Sequence, residues 1–357
     1  MTAVSSDIAQ LYSLGRQVGS DLGVAAEEKQ SWSLIAELGW LMVSAPEESG
    51  GLGMGLAGEC ALHSELGRVL ATVPFLPAML AIDTLSGTEF PGRDDLLERL
   101  TAGGEYLATP LSGSDFTARQ DGDALIISGS ASALPSADRA SRVLVYTHDN
   151  DCVALVDLQS EGAVLSARRI WDSTRRLYDL ELIDVAIDPA GVVAQGADAE
   201  RLINRLLIRR DFGLAADAAG GASALLEMTV EYLQTRQQFG RPLALFQALK
   251  HRCADLKALI DAAEALLLDS LDRVGDLTGD RENLATADML GRAARQLACS
   301  AYAAMAEEAV QLHGGIGMTS EHECHLYLKR AMLGEHLGRC EDGYDVELAA
   351  RFMADAR

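Results

Sequence analysis

The sequence predicts a mostly α-helical chain with a β lobe in its middle, and two observations carry that expectation. Long runs with apolar residues at three-and-four spacing fill residues 1–105 and 196–357. Between them, over 106–195, the period shortens to β-branched segments bounded by Gly, Asp or Asn. At 357 residues the chain can bury a large core divided among two or three lobes. Its 48% hydrophobic content argues against long disorder. The expected arrangement is an N-terminal helical domain (1–105), an antiparallel β domain (106–195) and a C-terminal four-helix bundle (196–357).

In chain order, Ser31–Val43 and Ala57–Leu70 have helix-period apolar positions, interrupted by the Gly-rich turn Ser49–Gly53. Ala124–Ser128, Val143–Thr147, Cys152–Asp157 and Ala163–Ile170 read as strands, and Asp121-Gly122-Asp123 as a hairpin turn. Four long helices follow, over Asp198–Gln237, Leu243–Val274, Arg281–Leu312 and His325–Met353. Helices of that length bury one another, and their apolar faces invite oligomerisation.

The stretch Arg209–Arg252 stands at the centre of this organisation. Leu225, Leu226, Val230 and Leu233 mark a buried helix face, and Gly220-Gly221 admit a second backbone or a flat ligand. The helix is expected to stop near Gly240, ahead of Pro242, with Arg236 in its last turn.

The formal net charge is −23, from 53 acidic and 30 basic residues. Such a surface repels nucleic acid and anionic membranes, so neither is expected as a partner. An anionic ligand must be met locally, and Arg201, Arg205, Arg209 and Arg210 are the nearest basic cluster, with Arg209 and Arg210 the substrate-binding candidates. Six scattered cysteines suggest a reducing compartment. No secretory leader or membrane-length apolar run stands out, giving a cytoplasmic, soluble expectation. His322, Cys324, His325, His336 and Cys340 fit no compact ligand set, so no metal is expected.

Three motifs in order carry a resemblance. Thr235-Arg236-Gln237-Gln238-Phe239-Gly240-Arg241-Pro242 with Phe246-Gln247-Ala248-Leu249-Lys250-His251 resembles the flavin-binding helix pair of acyl-CoA dehydrogenases. Val310-Gln311-Leu312-His313-Gly314-Gly315-Ile316-Gly317 resembles that family's other FAD segment. Leu38-Gly39-Trp40 to Ala45-Pro46-Glu47-Glu48-Ser49-Gly50-Gly51-Leu52-Gly53 resembles its amino-terminal motif. The resemblance implies FAD held between the β lobe and the carboxy-terminal helices. It assigns Arg236, Gln238, Phe239, Leu243, Phe246 and Gln247 to the diphosphate and adenine side. Gln311, Gly314 and Gly315 would come from a neighbouring subunit. Thr109–Asp115 resembles the family loop beside the flavin without its usual glutamate, and Gly129–Ala137 aligns with the run covering the ring but has no aromatic. Asp172-Ser173-Thr174-Arg175 matches a β-lobe motif with a structural ion-pair role as default, and Glu321 reads as a helix-capping acid.

In this family a carboxylate removes an α-proton from an acyl thioester while FAD takes the β-hydride. Here the resemblance places Gly338 and Arg210 where members carry that glutamate, with Glu335 and Glu341 three residues either side of Gly338. Asp217 and Asp211 remain as catalytic candidates. Asp217 lies on roughly Arg210's face two turns along, and is either a base or a structural acid inside the bundle.

The missing glutamate and aromatic resemble subunits of mixed α2β2 bacterial enzymes that desaturate bulky acyl-CoA esters, including steroid side chains. The implied partners are an acyl-CoA substrate, a homologous acyl-CoA dehydrogenase subunit that supplies the base, and an electron-transfer flavoprotein or similar acceptor. The rivals are a self-sufficient homotetramer using Asp217 or Asp211, and a flavin-free scaffold subunit.

Overall fold

A computed structural model describes residues 6–338, apart from 48, 49, 113, 123, 148, 150, 276 and 278–280. Five helices open the chain: α1 (Ser6–Leu22), α2 (Glu28–Glu37), α3 (Gly55–Arg68), α4 (Phe75–Ser86) and α5 (Arg93–Thr101). The helix predicted over Ser31–Val43 breaks at Gly39, which is left-handed at φ 70°, and resumes as a 3-10 turn over Trp40–Met42. Of the Gly-rich turn and its motif, Glu48 and Ser49 lie outside the described residues.

The middle of the chain forms two four-stranded sheets. One orders β1 (Leu107–Ala108), β4 (Arg142–Tyr146), β5 (Cys152–Asp157) and β8 (Val192–Gln195). The other orders β2 (Ser114–Asp121), β3 (Ala124–Pro135), β7 (Leu177–Ile187) and β6 (Ala163–Arg168). Pairing is antiparallel except between β1 and β4. Asp121 pairs with Ala124 around the predicted hairpin turn, whose Asp123 lies outside the described residues.

The rest is helical: α6 (Gly196–Thr235), α7 (Gln247–Val274), α8 (Arg281–His313) and α9 (Cys324–Gly334). Three predicted ends move. Helix α6 stops at Thr235, so Arg236 is its extended cap residue rather than part of its last turn. Gly240 therefore does not end the helix; with Phe239 it forms the turn of a small hairpin between β9 (Gln237–Gln238) and β10 (Arg241–Pro242). Both turn residues have positive φ, 56° and 77°, as a two-residue hairpin loop demands. Helix α9 ends at Gly334, and the remainder of the segment predicted to reach Met353 lies outside the described residues beyond 338.

Helix α6 is the element both cores share. Leu202, Ile203 and Leu206 pack with α4 and the β lobe, whereas Phe212, Ala215 and Leu225 pack with α7 and α8. Its crossing with α3 depends on missing side chains. A Cβ on Gly220 would stand 1.9 Å from the Ser64 carbonyl oxygen, and one on Gly67 would stand 2.3 Å from that of Asp217. Backbone, rather than a flat ligand, fills the space that Gly220 leaves. The Tyr302 ring fills the space left by Gly221.

Candidate functional site

The residues singled out from sequence fall in two regions of the molecule. One is the end of the bundle where α6 and α8 stop together. Tyr232, one turn before the α6 cap, stacks on His313 at 4.5 Å between centroids, and its hydroxyl donates to the His313 carbonyl at 3.2 Å. This pairing sets Arg236 and Gln311–Gly315 side by side within one chain. His313 in turn donates through Nδ1–H to the Ala309 carbonyl at 2.8 Å and meets His322 ring to ring at 4.4 Å. Burial, then the neighbouring His322, pulls His313 below the ordinary histidine value.

Beyond that stack the surface is open. Arg236, Gln238, Gln247, Gln311, Gly314 and Gly315 are exposed, and Phe239 is 88% accessible. Phe239 meets Phe246 edge-on at 6.0 Å, and the Arg241 guanidinium lies 4.0 Å over the Phe246 ring. Leu243 is half-buried and donates its amide to the Arg236 carbonyl at 2.9 Å, bracing the hairpin. A guanidinium, three side-chain amides and two aromatic rings on one exposed rim suit a dinucleotide with a diphosphate. They form a rim and not an enclosure.

The second region lies about 27 Å back along α6, at 1.5 Å per residue from Thr235 to Asp217. Arg330 of α9 is buried there and donates to Asp172, Thr174, Asp217 and the carbonyls of Leu70 and Ala71. Arg175 adds a second guanidinium to Asp217 at 2.8 Å. The motif Asp172–Arg175 thus has the ion-pair role expected of it. Burial pushes the Asp217 carboxyl up, but Arg175 and Arg330 outweigh it and hold the group below the usual aspartate value. Held between two guanidiniums, Asp217 has the surroundings of the structural acid that was its alternative reading.

Asp211 is held in a similar way. It is 2% exposed and walled in by Arg210, at 2.9 and 3.0 Å, and by Arg295, at 3.4 Å. Arg209 and Arg210 are each 3% exposed and spent on carboxylates: Arg209 on Glu59 and, at 2.9 Å, on Asp83; Arg210 on Asp211. Neither guanidinium is offered to an outside anion. Arg205 joins Asp83 at 2.9 Å, and Arg201 pairs with Asp198. The clustering that suggested an anion site therefore reflects internal ion pairs.

Gly338 and Arg210, far apart in the chain, meet in the fold. A Cβ on Gly338, where φ is 76°, would lie 3.4 Å from Arg210 Nε and 3.3 Å from Asp211 Oδ1. The two positions where the resemblance would place a base are therefore one place, and a cation fills it. Glu335 caps the end of α9, while Glu341 and Cys340 lie outside the described residues. Glu321 does not cap α9; the Cys324 amide is met instead by His322 Nδ1 at 3.2 Å.

Comparison with known proteins decides the family. The acyl-CoA dehydrogenase N-terminal domain matches residues 21–89, and the C-terminal domain of the same family matches 201–339. Acyl-CoA dehydrogenase IpdE2 of Mycobacterium tuberculosis is 33% identical over 305 residues, covering 85% of this chain and 80% of that protein. The chain belongs to the acyl-CoA dehydrogenase family. A solved structure described as a Tcur3481-Tcur3483 steroid ACAD G363A variant superposes with a TM-score of 0.85 at 26% identity, covering 99% of each chain. The ChsE4-ChsE5 complex from Mycobacterium tuberculosis gives 0.87 at 24% identity, covering 99% of this chain and 98% of that one, which speaks for the fold alone. Acyl-CoA dehydrogenases are FAD-dependent oxidoreductases, and the exposed rim around Arg236 fits that cofactor's diphosphate. Among the described residues no helix is long and apolar enough to cross a membrane.

Proposed function

We propose that this acyl-CoA dehydrogenase chain works as one half of a mixed assembly, completing a flavin site whose proton-abstracting glutamate comes from a homologous partner. The observation that carries the reading is the meeting of Arg210 and Gly338. A buried guanidinium paired to Asp211 cannot accept a proton, and glycine has nothing to offer one. Asp217, tied to two arginines, does not replace them.

In this reading Arg236 binds the diphosphate through its guanidinium fork, and Gln238 and Gln247 hold polar edges. Phe239 and Phe246 give an apolar rest for the adenine side. Gln311, Gly314 and Gly315, side by side with Arg236 on this chain, hold the same cofactor, and the partner subunit covers it. Bound FAD supplies hydride acceptance. The residues of this chain hold the cofactor, exclude water and leave α-proton removal to the partner. The substrate class is a bulky, steroid-like acyl-CoA thioester, supported by the likeness to a solved structure described as a steroid ACAD. An electron-transfer flavoprotein or similar acceptor would reoxidise the flavin.

The deciding experiment purifies the chain with and without its homologous partner and measures flavin absorbance, stoichiometry and turnover. The proposal expects FAD and turnover only in the mixed assembly, lost on replacing the partner's glutamate by glutamine. A homotetramer of this chain that oxidises an acyl-CoA alone overturns it, and a colourless mixed assembly points to a scaffold.

A further inference from the structure

A cleft of about 780 Å³ opens between α4, α5, the chain around Ser44 and the first half of α6. Its lining comes only from the N-terminal helices with their connections and from α6; no β-lobe residue and no residue of the exposed rim takes part. Arg205, in that lining, lies about 45 Å along α6 from Thr235 at the rim. Met42, Ala45, Ile82 and Leu97 give the cleft apolar surface, and its space is far more than a single water needs.

Arg205 and Arg209, one helical turn apart, are the cations of α6 that line it. Arg209 is 3% exposed and divides its Nη groups between Glu59 and, at 2.9 Å, Asp83 Oδ1. Arg205 Nη2 reaches the same Asp83 oxygen at 2.9 Å. The Nε of each guanidinium is buried and has no acceptor among the described residues. Two buried N–H donors on one helical turn are costly unless something accepts from them. Charge decides what that can be. Glu59 and Asp83 already balance the two guanidiniums, and Asp94 and Glu98 outnumber Arg93 in the rest of the lining. A carboxylate brought to the Nε donors would stand beside Asp83 with no cation to spare. A carbonyl oxygen offers two lone pairs and no charge.

We infer that this cleft binds an uncharged, carbonyl-bearing hydrocarbon, with its oxygen on the Nε donors of Arg205 and Arg209. The hydrocarbon frame rests on Met42, Ala45, Ile82 and Leu97. Arg205 is the movable member: its side chain is 20% accessible, and its one hydrogen bond among the described residues runs to Asp83. When Arg205 turns its Nε edge toward the ligand, Arg209 keeps Asp83 neutralised. The cleft has this role whichever subunit supplies the catalytic glutamate.

The test is calorimetric titration of the purified full chain, alone and with its partner, using adamantanone and adamantanecarboxylate as probes. Adamantanone is expected to bind in the millimolar range or tighter, and the carboxylate at least about tenfold more weakly. Arg205→Met keeps the apolar stem but removes the donor, and should weaken adamantanone about tenfold, as loss of one bond to a charged group implies. Ser86→Trp puts bulk into the cleft from an exposed residue and should abolish binding. Asp95→Trp, exposed on α5 but outside the lining, should leave it unchanged. No heat from adamantanone at millimolar concentration, or a carboxylate that binds as well, overturns the proposal in the wild-type chain alone. Unchanged binding by Ser86→Trp places the ligand elsewhere and overturns it too. Flavin absorbance in the same samples tests the partner reading separately, so the two can fail independently.

Discussion

Arg330 donates to Asp217 at 3.1 Å, joining the last described helix to the middle of α6. Because Arg330 also takes carbonyls from the α3–α4 connection and the carboxylate of Asp172 in the β lobe, one side chain ties all three lobes. Asp217 is the member whose loss leaves two guanidiniums short of charge.

Asp217→Asn should therefore destabilise the chain by about 3–5 kcal/mol, the cost of breaking a buried pair from one side. Turnover of the assembled enzyme should survive wherever the protein remains folded. The pH dependence has a fixed sign. A carboxyl held below its unfolded value, about 3.9, contributes full stability above that pH and loses it as the pH falls through the lower folded value. In urea titrations of wild type and Asp217→Asn, the difference in stability should be constant near neutral pH and should narrow once the pH falls below about 3.9.

Arg236→Ala should weaken FAD binding by about 2–5 kcal/mol in the assembled enzyme, the range for losing one side of a desolvated charge pair. The chain itself should stay as stable as before, since Arg236 is exposed at the helix cap. Flavin retention on gel filtration, beside the melting temperature, separates the two effects.

Gly220→Ala tests the helix crossing. Its new methyl would meet the Ser64 carbonyl at 1.9 Å, so α3 and α6 must separate, at a cost of about 1–3 kcal/mol or more. A melting temperature unchanged from wild type would show that this approach is not close in solution.

His313 gives the cofactor end its own acid limit. A histidine held neutral by burial binds its proton less readily folded than unfolded, so stability is lost as pH falls below about 6.5. Flavin release from the assembled enzyme should rise below that pH, and His322→Gln, which removes the neighbouring imidazole, should shift the rise to lower pH.

Gly338→Glu should not restore a base. The new carboxylate would stand beside Arg210 at a residue whose φ of 76° disfavours any side chain. The homomeric variant is expected to remain inactive in acyl-CoA oxidation, and only with Arg210 also replaced by glutamine would proton abstraction become measurable.

Much of the fold was legible because periodicity reports burial. Strand β5 matches Cys152–Asp157 as predicted, and α7 and α8 were placed within a few residues. Strand β7 was missed although Leu177, Leu180, Leu182, Val185 and Ile187 are buried in turn, because two register shifts opposite β3 blur the alternation. The exposed rim was legible as a motif, but its position beside His313 rests on the stack with Tyr232, which no local pattern encodes. The charged candidates were the least legible. Arg209, Arg210, Asp211 and Asp217 looked available because their partners, among them Glu59, Arg295 and Arg330, lie far off in sequence.

Helix α6 runs 40 residues without a break, a rod of about 60 Å. Gly220, its pivot against α3, lies about 24 Å from Arg236, so tilting the rod by about 3° swings that guanidinium by roughly 1 Å. A displacement of that size at a reacting site is worth about a hundredfold in rate. Substitutions around Ser64 and Gly67 therefore act as remote aiming screws: they lie far from the rim, yet they set where its guanidinium points.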